Sequence, residues 1–226
     1  MKLITAALTL LTSTLAFGGP ETPFNGKDLT NWQIRDKAQG KWSVGEAAMS
    51  TTDKKQLEVK PGGHALINNV SAFGQSQDIY STEKYGDIRL EVEVMVPKDS
   101  NSGIYMMGEY EVQVFDSFGV AKIGPGDMGA IYGASLPKAN ASKAPGEWQK
   151  YVIEFRAPKF DAKGMKTANA VFVKVELNGT VIHENVEVKG PTLMGLTGKE
   201  AATGPIMFQG NHGAVAYRNL KVTPLK

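Results

Sequence analysis

Tyr105, Glu111, Gln113 and Asp116 fall within one stretch, Asn101 to Ser117, whose other residues read as sheet. An apolar run from Ile104 to Met107, a Gly108-Glu109 turn and a return strand from Tyr110 to Asp116 predict a hairpin. Side chains on a strand alternate, so Tyr110, Val112 and Val114 share one face while Glu111, Gln113 and Phe115 share the other. The valine face is core. A carboxylate and an amide in mid-strand are expensive to bury without partners, so their face is expected to meet water or a ligand. There Glu111 would stand exposed. Asp116 has the wrong parity to join it, but a bulge near Phe115 would bring it round. It could equally cap the Ser117-Phe118-Gly119 turn.

Other candidates lie far along the chain. His212 follows an expected strand, Ile206 to Gln209, in a Gly-Asn-His-Gly turn flexible enough to aim an imidazole into a cleft. Arg218 shares parity with Leu220 and Val222 and reads either as a site residue or as a paired arginine near the core. Tyr132, set between Gly129 and Gly133, and Trp148 are either stacking platforms for a ligand ring or core aromatics. His64 and His183 have no acidic neighbours at ligand-like spacing and read as structural. No tight zinc or calcium motif and no phosphate loop is present, so the sequence demands no cofactor. A divalent ion gathered from distant loops by Glu111, Asp116 and His212 stays open.

The elements that must position these groups are strands. Period-two hydrophobicity dominates from about Trp42 onward, clearest in Ile88 to Val96, and 25 Gly and 11 Pro punctuate short runs. Further strands are expected at Lys41 to Met49, His64 to Asn68, Ile79 to Ser81, Tyr151 to Phe155, Ala170 to Leu177, Val181 to His183 and Val215 to Val222, with Asn178-Gly179 as a hairpin turn. So many short strands without helical connectors predict an all-β sandwich of two antiparallel sheets. Three long connections, Gly119 to Asn140, Ala157 to Ala168 and Val188 to Gly204, are long enough to wall in a sheet face. Met1-Lys2 and the apolar run Leu3 to Phe17 read as a secretory signal over residues 1–16, too short for the ~20 residues of a membrane span. Residues 17–226 then form a single domain, exported to the periplasm or beyond. A net charge of +2 with both signs interspersed points away from nucleic acid and membrane surfaces and toward a small neutral partner; the oligomeric state is not legible. With 0 Cys, disulfides and thiolate chemistry are excluded.

The order of six short motifs resembles the family of secreted bacterial 3-keto-disaccharide (3-keto-glycoside) hydrolases, which have a concanavalin-like jelly-roll fold. They are Phe24-Asn25-Gly26-Lys27-Asp28-Leu29 with Trp32; Asn101-Ser102-Gly103-Ile104-Tyr105; Tyr110-Glu111-Val112-Gln113-Val114 through Asp116-Ser117; Gly129 to Gly133; Pro145-Gly146-Glu147-Trp148-Gln149; and Gly204-Pro205-Ile206 through His212-Gly213 with Arg218-Asn219-Leu220. Similar members commonly read Leu-Gln-Asp-His-Gly near the end, where this chain has Asn211 in place of the acid. The resemblance implies cleavage of the glycosidic bond of a 3-keto sugar by removal of the C2 proton, elimination at C1 and hydration. It implies Glu111, His212 and Asp116 as catalytic groups, with Gln113, Tyr105, Tyr132, Trp148, Gln209 and Arg218 around a small carbohydrate substrate. Glu111, Gln113 and Asp116 also resemble in kind the Glu-x-Asp-x-x-Glu strand of laminarinases and lichenases, whose retaining chemistry needs two carboxyl groups about 5–5.5 Å apart. A non-catalytic carbohydrate-binding module is the third reading, since one fold serves both roles.

Overall fold

A computed structural model describes residues 19–226; the secretory signal expected over residues 1–16 lies outside the described residues. Among the described residues there is no helix, and the strands, numbered in chain order, form two large antiparallel sheets packed face to face. One sheet has five strands in the order β1 (Trp32–Ile34), β4 (Ile79–Ser81), β13 (Met207–Phe208), β6 (Asn101–Met106) and β7 (Tyr110–Phe115). The other has seven: β12 (Thr180–Val188), β11 (Ala170–Leu177), β8 (Gln149–Arg156), β5 (Ile88–Met95), β14 (Val215–Pro224), β3 (Leu57–Asn68) and β2 (Trp42–Met49). The architecture is the expected jelly-roll sandwich. The connection from Ala157 to Ala168, expected as a bare loop, contains a small hairpin of β9 (Lys159–Phe160) and β10 (Lys166–Ala168).

Strand β5 shows why the sequence folds this way. Ile88, Leu90, Val92 and Val94 point inward and are buried, while Arg89, Glu91 and Glu93 alternate outward. The inward set meets Ile104, Val112 and Val114 of the opposing sheet in one apolar core. Burying such a side chain contributes about 1.5–3 kcal/mol, which fixes register because a slip of one residue would exchange the faces. Phe208 joins the layers, stacked on Tyr217 with centroids 3.9 Å apart.

The β6–β7 turn is one residue longer than the Gly108-Glu109 pair that the sequence suggested. Met106 pairs with Tyr110, leaving Met107, Gly108 and Glu109 as the turn, with Met107 (φ 56°) and Gly108 (φ 72°) both left-handed. The Glu109 carboxylate accepts from Thr197 N (2.8 Å), Thr197 Oγ1 (2.6 Å) and Gly198 N (3.0 Å). This straps the long connection after β12 across the turn end of the five-stranded sheet.

Candidate active site

Regular pairing of β6 with β7 puts Asn101, Gly103 and Tyr105 opposite Phe115, Gln113 and Glu111 on the face turned away from the core. On β13, Met207 pairs with Tyr105, so Gln209, two residues on, joins the same face and donates from Nε2 to the Tyr105 hydroxyl at 3.2 Å. These side chains floor a cleft of about 470 Å³, within the size range of small-molecule sites. The Gly119 to Asn140 connection supplies one wall because its middle runs alongside β7: Gln113 N donates to Ala130 O (2.8 Å) and Tyr132 N to Glu111 O (3.1 Å). Buried His183, tied through Nε2 to Gly129 O at 2.8 Å, holds that wall to the other sheet, the structural role expected of it. Leu193 and Met194 form a second wall, and His212 closes the Asn101 end.

Glu111 was expected to be exposed; instead it is only 4% accessible. Burial raises its pKa to about 8, the Tyr105 hydroxyl beside it offsets part of that rise, and the Asp78 charge adds to it. Its backbone is fixed as well, Glu111 N donating to Thr192 Oγ1 at 3.0 Å. Gly103 makes room for the carboxyl, since a Cβ there would lie 2.2 Å from Glu111 Oε1. Gln113 points its amide to Asn101 Oδ1 at 3.2 Å, within the same cleft.

His212 sits on a turn clamped from below. Asn68 Nδ2 donates to Gly210 O (2.7 Å) and Gly213 O (2.9 Å), Gly210 N donates to Asp78 Oδ1 (3.0 Å), and Ser102 Oγ donates to Gln209 O (2.6 Å). The ring is half-buried, which lowers its pKa against an opposing pull from Asp78. Its Nδ1 bonds Asn211 Oδ1, so the amide that replaces the family's usual acid contacts the imidazole directly.

Three expected members lie elsewhere. Asp116 does not swing round, because β6–β7 pairing is regular through Phe115; its carboxylate accepts from Asp99 N (3.0 Å) and Phe118 N (3.4 Å) and serves the turn. Arg218 is carried to the outer face of the seven-stranded sheet by a bulge at Asn219 (φ 54°), which breaks the parity used to align it with Leu220; there Arg218 Nε donates to Glu93 at 2.7 Å. Trp148 lies under that guanidinium, 3.9 Å from its ring centroid, and packs on an apolar cluster that includes Ala65, Ile67 and Ala216. The trio that could have gathered a divalent ion is therefore not assembled, and among the described residues no group of three or more His, Cys, Asp or Glu side chains is arranged to hold a metal.

Sequence reasoning missed Asp78, Thr192 and Asp127. Asp127 lines the cleft, but its oxygens accept from Ser117 Oγ (2.8 Å) and Gly124 N (2.6 Å). Asp78 stands directly before a short strand, where an aspartate is indistinguishable by pattern from any turn residue.

Over residues 19–223 the sequence matches the family described as 3-keto-alpha-glucoside-1,2-lyase-like domain. The chain belongs to that family. A proposed glycosyl hydrolase from Parabacteroides distasonis ATCC 8503 is similar at 28% identity and a TM-score of 0.71, over 92% of this chain and 84% of that one. Two further proposed glycosyl hydrolases of that organism share the fold at 18% and 20% identity, with TM-scores of 0.60 and 0.59, over 92% of this chain and 94% and 100% of theirs. No curated protein matches. Family and site together mark a carbohydrate-active, glycoside-processing protein.

Proposed function

We propose that the protein cleaves 3-keto-glycosides by elimination across C1 and C2 followed by hydration, with Glu111 as the base. A ketone at C3 acidifies the C2 proton. Glu111 takes that proton, the C2–H electrons form the enolate, and collapse of the enolate expels the C1 oxygen, which leaves as an alcohol after receiving a proton from His212. Water then adds, hydroxyl to C1 and proton to C2, giving the free 3-keto-sugar. The amide of Gln209 and the hydroxyl of Tyr105 are the donors on the cleft floor for the developing enolate oxygen.

The observation that carries this reading is the deeply buried Glu111, whose pKa of about 8 makes it a strong base once ionised. The other carboxylate lining the cleft, Asp127, is committed to its own loop, so the arrangement favours one-carboxylate elimination over two-carboxylate hydrolysis.

The test uses Glu111→Gln on 3-keto-glucosides with aryl and alkyl leaving groups. If Glu111 is the base, both lose about 10²–10⁴ in kcat while binding survives. Retained activity on the activated aryl substrate alone would make Glu111 the acid. Glycan binding in calorimetry with no turnover by the wild type would replace the enzyme by a binding module.

A further inference from the structure

The cleft is built in two tiers. Its floor is polar, with Asn101, Glu111, Gln113 and Gln209 presenting donors and acceptors suited to a sugar ring. Its mouth is not. Seven large apolar side chains stand in solvent among the described residues, and three of them border this one cleft: Leu193 (69% exposed) and Met194 (54%) line it, and Phe73 (69%) rests edge-on against His212 at 4.8 Å between centroids. Single exposed apolar residues are ordinary, but a group around a site marks a contact surface. Nor is the Leu193-Met194 segment a frayed end. Tyr105 OH donates to Leu193 O (3.3 Å), Thr192 N to Glu109 O (2.8 Å) and Arg35 Nη2 to Leu196 O (3.3 Å), so the backbone holds these side chains out at the mouth.

We infer that Phe73, Leu193 and Met194 form an aglycone subsite that selects 3-keto-glycosides whose leaving group is apolar, aromatic rings above all, over those whose leaving group is a second sugar. The inference rests on the reading of the Glu111 floor given above. A second sugar would bring hydroxyls against side chains that have no donor and no acceptor beyond the weak Met194 thioether, whereas an aromatic ring would cover surface now in water. His212, with Phe73 edge-on against it, places the proposed proton donor next to one member of this apolar cover.

Benzyl and methyl 3-keto-glucosides, each as both anomers, test this because both leave as alkoxides and differ mainly in apolar surface. The wild type is expected to prefer benzyl by about tenfold in kcat/KM, the scale of modest apolar contacts in a site. L193S/M194S should reduce the preference to about twofold or less, and adding F73S should abolish it. The single variants L193S and M194S, both at exposed positions, keep the test readable if the double variant folds poorly. An equal rate on the two glycosides, or a preference that survives all the variants, overturns the subsite. If the wild type cleaves neither, the catalytic reading fails by itself, and calorimetry with the same pair decides the subsite. Tighter binding of benzyl that is lost in L193S/M194S supports it, and equal affinities overturn it.

Discussion

Gly103→Ala isolates the position of one carboxyl. The added Cβ would lie 2.2 Å from Glu111 Oε1 and 2.9 Å from Tyr105 Cε2, against about 3.4 Å for an ordinary contact, so the oxygen must retreat by about 1.2 Å. The Gly103 backbone is not left-handed, and alanine costs less than glycine in mid-strand, so the main chain does not resist the change. The atoms displaced are the ends of side chains, and overpacking of this kind costs about 1–3 kcal/mol, leaving the protein folded. Catalysis is less tolerant, because a misplacement of about 1 Å can cost ~10²-fold. Steady-state kinetics on a 3-keto-glucoside should therefore show kcat down by about two orders of magnitude, with a single cooperative melting transition lowered by about 2–12 °C. Wild-type kcat in a well-folded Gly103→Ala protein would mean that the Glu111 carboxyl does not touch the reacting atoms, and the assignment of the base would be lost.

Asp78→Asn keeps an acceptor for Gly210 N but removes the charge that holds up the pKa of both Glu111 and His212, so the whole pH–rate profile should move toward acid; an unmoved profile refutes that coupling. Glu111 is protonated more readily in the folded chain (about 8 against 4.5), so its contribution to stability is full below pH 4.5 and is lost as pH rises to 8, at about 1.4 kcal/mol per pH unit. Urea melts at pH 5 and pH 8 should show that loss in the wild type and not in Glu111→Gln. Asn211→Asp places a carboxylate against His212 Nδ1 and should raise the imidazole pKa, seen directly by NMR titration. Asp116→Asn, whose carboxylate meets only the Asp99 and Phe118 amides, should leave kcat/KM near wild type and cost about 1 kcal/mol or less.

The sandwich and the floor of the site were legible because both follow from the two-residue period of a strand. Alternation in Tyr110 to Phe115 separates Val112 and Val114 from Glu111 and Gln113 with no knowledge of what covers either face. The same rule failed wherever the period broke. A bulge was invoked near Phe115, where pairing is regular, and none was suspected at Asn219, where one sends Arg218 to the opposite side of the molecule. The depth of Glu111 was not legible either. It is set by Tyr132 and Leu193, which reach the cleft on two connections whose paths depend on backbone bonds to Gln113 and Glu109, and such pairing leaves no local pattern.

Burial moves the two groups proposed to transfer protons in opposite senses, Glu111 up and His212 down, so at neutral pH the resting cleft holds a protonated carboxyl and a neutral imidazole. This is the reverse of the charged pair that the proposed elimination uses, yet both forms carry the same number of protons. The working form differs only by one proton moved from Glu111 to His212, so pH alone cannot change the ratio of the two. What sets it is the local field. Asp78, behind the His212 turn and paired with Arg35 at 3.4 Å, raises both groups and does little to divide them. The neutral Asn211 amide accepts from the imidazole without the charge that would hold a second proton there. In the proposed elimination a carboxylate at that position would favour imidazolium and release Glu111 as the base, so the residue at 211 would govern how much of the protein is poised to react.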